Sequence, residues 1–80
     1  MPNRVEITAT TNANGSYQIP TTKVNPSTHI IVASTANGGY LTNIILYGGY
    51  YYVIVWNNAN ASYSPIANTS VDVDLWVMHK

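Results

Sequence analysis

Eighty residues set the limit at one domain, and three basic and three acidic side chains cancel to a formal net charge of zero with both histidines neutral. Only 8% of positions are charged, so ten Asn, six Ser and nine Thr carry the polarity instead. Nothing here draws the chain to phosphate backbones or anionic membranes. With no cysteine there is no disulfide framework, thiolate metal site or cysteine nucleophile, and 46% hydrophobic content is too high for a disordered chain.

A domain this short buries a modest share of its surface and is marginal alone. Small scaffolds gain stability from disulfides, a metal or oligomerisation. Cysteine is absent and no His/carboxylate cluster has ligand spacing, so oligomerisation is the remaining device. No apolar run approaches the ~18 residues of a membrane span, and the opening Met-Pro-Asn-Arg-Val-Glu has no signal-peptide core.

β-Branched and aromatic residues dominate, good helix formers are sparse, and Gly, Pro and Asn recur at short intervals. In chain order the first predicted strand is Arg4 to Thr11, with Val5, Ile7 and Ala9 on one side and Arg4, Glu6, Thr8 and Thr10 on the other. Asn14-Gly15 is a hairpin signal, because both central residues of a type I′ turn need positive φ. Ser16 to Ile19 follows as a short strand that stops at Pro20, and Thr21 to Ser27 reads as a loop. Thr28 to Thr35 is the next strand, ended by Asn37-Gly38-Gly39.

Tyr40 to Tyr47 and Tyr50 to Asn57 form the strongest pair, joined by Gly48-Gly49 as a two-residue hairpin with Tyr47 opposite Tyr50. Asn57 to Ser64 is an Asn/Ala/Ser loop, Pro65 to Asn68 is a turn, and Ser70 to Met78 is the last strand, with Val71, Val73, Leu75 and Val77 facing inward. About six strands with short connections predict an all-β fold, a single small antiparallel β-sandwich or jelly-roll-like domain over residues 1–80.

Both faces of the central hairpin are mostly apolar. One holds Leu41, Asn43, Ile45, Tyr47, Tyr50, Tyr52, Ile54 and Trp56; the other holds Tyr40, Thr42, Ile44, Leu46, Tyr51, Val53, Val55 and Asn57. An 80-residue sandwich has one core, so both faces cannot lie inside it. The second face implies a subunit interface of closed symmetry, three-fold as readily as two-fold. Tyr40, Ile44, Leu46, Tyr51, Val53 and Val55 are taken as that interface.

Asp72 and Asp74 sit two apart on a strand, so their carboxylates share a face, with Trp76 next in line. Carboxylates accept hydrogen bonds from sugar hydroxyls, and an indole covers the apolar side of a pyranose ring. The plain alternative is a solvated strand face that discourages edge pairing. A hard-cation site needs more oxygens than this pair offers, so no metal or other cofactor is expected. Trp56 and the amides of Asn57, Asn58 and Asn60, with Tyr63, make a second set of candidate sugar contacts on an adaptable loop.

His29 and His79 lack partners at recognisable spacing and read as surface or rim residues. No nucleophile elbow, P-loop or dinucleotide fingerprint is present, and only Glu6 could join Asp72 and Asp74 in a carboxylate pair. An enzyme is therefore not expected. Asn14-Gly15-Ser16, Asn60-Ala61-Ser62 and Asn68-Thr69-Ser70 match the glycosylation sequon, as chance allows in a chain this rich in Asn, Ser and Thr.

Ala36-Asn37-Gly38-Gly39-Tyr40, the Gly48-Gly49 hairpin with its tyrosine-rich strands, and Ser64-Pro65-Ile66-Ala67-Asn68-Thr69-Ser70-Val71 before the terminal strand resemble tip domains of bacteriophage tail fibres and related receptor-binding proteins. The opening Thr8 to Pro20 has the same texture. The likeness lies in texture and layout across most of the chain rather than in a fixed motif. It implies a homotrimeric, virion-borne module, made in the host cytoplasm, that attaches to a host surface saccharide or protein. The alternative it leaves is a structural subunit that trimerises with or stabilises a longer tail-fibre chain and has no ligand of its own.

Overall fold

A computed structural model describes residues 3–57 and 64–80. Among the described residues the elements are β1 (Asn3–Thr10), β2 (Ser16–Gln18), β3 (His29–Ser34), β4 (Tyr40–Tyr47), β5 (Tyr50–Asn57), β6 (Ser64–Pro65) and β7 (Ser70–His79). There is no helix among them, hence none long and apolar enough to cross a membrane. Two antiparallel sheets face each other. The first has the order β1-β7-β3, and the second has β2-β5-β4, with β6 pairing β5 on the β2 side. The fold is the expected small β-sandwich. Its strands follow the expected segments to within a residue or so at their ends, and the two-residue β6 is an addition.

The core lies between the sheets and is built from alternate residues. Val71, Val73, Leu75 and Val77 of β7 face Val53, Val55 and Tyr51 of β5, with Ala9 and Ile31 from the flanking strands. Ile19 and Val24, from the connection after β2, are also buried in it. Tyr51 is the one buried aromatic residue among the described residues, and its hydroxyl donates to the carbonyl of His29 at 2.7 Å. Buried Thr11 is satisfied as well. Its hydroxyl donates to the carbonyl of Ile66 and accepts from the amide of Thr69, which ties the end of β1 to the approach to β7.

The central hairpin settles which of its apolar faces is inside. Tyr51, Val53 and Val55 are buried within the protomer, and Tyr40 and Ile44 pack against them. These five therefore serve the intramolecular core and are not available as the surface for a second copy. Valines suit the ~10 Å gap between packed sheets. The opposite face carries Trp56, whose indole is bulkier than any side chain of the buried cluster. Leu46 points the same way as the core residues but is 55% exposed, because it lies near the hairpin tip. The tip is a two-residue turn as expected, with Gly48 at φ 61° and Gly49 at φ 85° and Tyr47 opposite Tyr50.

Asn14-Gly15 departs from expectation. β1 and β2 belong to different sheets, so this turn carries the chain across the sandwich and does not close a hairpin. Gly15 alone takes positive φ, at 76°, and its carbonyl accepts from the amide of Val55. A Cβ at this position would lie 2.8 Å from Cβ of Pro65 and 2.9 Å from the carbonyl oxygen of Val55. Gly15→Ala therefore combines left-handed backbone strain with a clash, for an expected loss of about 2–4 kcal/mol. Gly48→Ala meets nothing within 4 Å and should lose only the strain, about 1 kcal/mol. Urea midpoints of the two variants measure the difference, and equal midpoints would refute the packing account.

Candidate functional site

The outer face of the first sheet gathers most of the charge in the molecule. Antiparallel pairing of β1 with β7 sets Glu6 opposite Asp74, Thr8 opposite Asp72 and Arg4 opposite Trp76. On the other side of β7, Ser34 stands opposite Asp74 and Val32 opposite Trp76. All three acidic residues of the chain thus lie on one face, beside one of its three basic residues. The long β1–β7 ladder brings this about: it fixes register over eight residues at opposite ends of the sequence.

Side-chain bonds order the face. Arg4 Nε donates to Asp74 Oδ1 at 3.1 Å, and Arg4 Nη2 lies 3.0 Å from the same oxygen and 2.6 Å from Glu6 Oε1. Thr8 Oγ1 donates to Asp72 Oδ1 at 3.2 Å. Arg4, Glu6, Thr8, Asp72 and Asp74, with Ala36 at the rim, border an open depression of about 490 Å³. Beside it the face turns apolar. Trp76 is 37% exposed, its indole N–H donates to Ser34 Oγ at 3.2 Å, and Val32 and Ile30 continue the surface. A second hollow of about 250 Å³ adjoins at Asp72 and Ala36 and is bordered by Thr35, Asn37 and Tyr40.

This is a polar cup next to an aromatic shelf. Carboxylate oxygens and the guanidinium can accept from and donate to hydroxyl groups, and the indole face can take an apolar ring surface. The Trp76 N–H is held by Ser34, which fixes the plane of the shelf.

The structure brings Asp72, Asp74 and Trp76 together as anticipated and adds Arg4, Glu6, Thr8 and Ser34 to them. Alternation along β1 shows that Arg4, Glu6 and Thr8 share a wet face; only the pairing of β1 with β7 shows which face they join. Trp56 does not belong to the group. It lies on the outer face of the second sheet, opposite Leu41 and Pro65, across the sandwich from Trp76. Asn57, at the end of β5, is half-buried opposite Tyr40 and Ser64. Asn58, Asn60 and Tyr63 lie outside the described residues.

The outer face of the second sheet is the chemical opposite of the first. None of its strands carries a charged residue. Leu41, Ile45, Tyr47 and Tyr50 are exposed there, Tyr47 to 74%, and Tyr52, Ile54 and Trp56 are half-buried among them. Leu46 extends the apolar surface around the hairpin tip. Comparison with protein-family models, curated proteins and solved structures gave no match.

Proposed function

We propose that the protein is a host-attachment module, a trimeric fibre-tip domain that takes a cell-surface saccharide on the outer face of its first sheet. The observation that carries this reading is the division of labour between the two outer faces. One is uncharged and apolar, and suits burial against further copies. The other, on the far side of the sandwich, combines carboxylates and a guanidinium around a depression with an exposed indole on the same face, and stays open when the first is covered. The tail-fibre likeness supplies the trimer, the virion and the host surface. Many weak copies on one fibre raise avidity well above the affinity of a single shallow site.

A second reading has its own support. Asp72 and Asp74 already accept from Thr8 and Arg4, so the face is satisfied without a ligand. A structural subunit of a longer fibre needs nothing more.

A glycan array probed with the multivalent protein separates the two. Saccharide binding that falls at least tenfold in Trp76→Ala, with circular dichroism unchanged, supports attachment through this face, since the exposed indole is not part of the core. No binding at high valency removes the attachment reading and leaves the structural one. Binding that survives Trp76→Ala and Asp72→Asn moves the site elsewhere.

A further inference from the structure

We infer that His29 and His79 form a binding site for a divalent transition-metal ion, of the copper(II) class, at the end of the first sheet. Fifty residues apart in sequence, the two are direct partners in the β3–β7 ladder. Their ring centroids are 4.4 Å apart, with planes tilted by 56°. Two imidazoles bound cis to one ion, each nitrogen ~2.0–2.1 Å from it, have centroids roughly 4.5 Å apart. The observed spacing matches that separation.

The surroundings of His29 accommodate the form of the ring that a metal requires. Thr28 Oγ1 lies 2.7 Å from Nδ1 of His29 and also donates to the carbonyl of Asn25 at 3.3 Å. In the tautomer that carries its proton on Nδ1, that nitrogen donates to Thr28 Oγ1 and the hydroxyl proton goes to the Asn25 carbonyl. That tautomer leaves the lone pair on Nε2. Metal-binding histidines are oriented in the same way, by a second bond on the nitrogen away from the ion.

The backbone beneath is held by hydrogen bonds. The Tyr51 hydroxyl holds the His29 carbonyl from inside the core, and the Lys80 amide donates to the carbonyl of Thr28 at 2.8 Å. The His79 ring is exposed and has no hydrogen-bond partner among the described residues, so it can turn to meet an ion. No third His, Asp or Glu joins the pair among the described residues. Water then completes the shell, which favours ions that accept two imidazoles in a tetragonal arrangement, copper(II) above all.

The test is titration of the full chain with Cu²⁺ at neutral pH, followed by calorimetry and electron paramagnetic resonance. Saturable one-to-one binding with nitrogen hyperfine structure, weakened at least tenfold in both His29→Ala and His79→Ala, supports the site. His29→Gln, which keeps a polar side chain beside Thr28, replaces the alanine variant if that one unfolds. A melting temperature raised by Cu²⁺ in the parent protein but not in the His79 variant also supports it. Absence of saturable binding up to millimolar Cu²⁺, or binding unchanged in either histidine variant, overturns it.

Discussion

Leu75→Ala is expected to destabilise the fold by roughly 2–5 kcal/mol, the range for removing a leucine from a packed core. Leu75 is fully buried, at 0% exposure, on the strand that forms the middle of the first sheet. Val5 and Ala33 flank it in the ladder, so its cavity would open between three strands at once. Eighty residues at 0.05–0.15 kcal/mol each give a total stability of about 4–12 kcal/mol, of which this loss is a large part. With a urea slope near 1 kcal/mol per molar, the midpoint should fall by about 2 M or more. Leu46→Ala, at a 55% exposed position, should cost under ~1 kcal/mol when measured on the dissociated protein. Similar midpoints for the two variants would contradict the core described above.

The second large effect concerns self-association. Sedimentation or native mass measurement should return three times the 8.8 kDa protomer mass. Ile45→Lys should return it to a single protomer. Ile45 is 41% exposed and stands opposite Tyr52 on the uncharged face, so a lysine there costs the isolated chain little. Once covered by another copy, the same lysine would be a buried charge without a partner, at about 3 kcal/mol or more, which is over a hundredfold in the dissociation constant. Val32→Lys is the matched control. Val32 is 53% exposed on the outer face of the other sheet, and its substitution should leave the mass unchanged. A parent protein that stays a single protomer at millimolar concentration would show that the apolar face tolerates water, and the trimer proposal would fail.

Much of the fold could be read from local pattern. Alternation located β1 and β7, runs of β-branched and aromatic residues between turn signals located β3, β4 and β5, and the Gly48-Gly49 turn fixed the register of β4 against β5. Turn chemistry did not reveal where the chain goes next. Asn14-Gly15 reverses direction whether the following strand joins the same sheet or the opposite one, and here it is the opposite one. Hydrophobicity did not choose between the two faces of the hairpin either. That choice is made by packing against the other sheet, which takes Tyr51, Val53 and Val55 inside and leaves Trp56 and Tyr52 on the outer face. Of the group on the first sheet, only the two carboxylates and the indole of β7 were visible in the sequence; Trp56, named with the loop as a second set, lies on the other sheet. The contribution of β1 to it, and the meeting of His29 with His79, are products of long-range pairing, which periodicity does not encode.

The β1–β7 ladder has a consequence for how the domain can be presented. Asn3 lies beside Val77, so both ends of the described chain leave at the same pole of the sandwich, next to the start of β3. The connections after β1, between β3 and β4 and before β7 gather at the other pole, where the smaller hollow opens. Any polypeptide joined to either end would start at the first pole, where Arg4 and Trp76 lie one register step from Asn3 and Val77. A tether would hold the domain from behind, with that second pole directed away from its support.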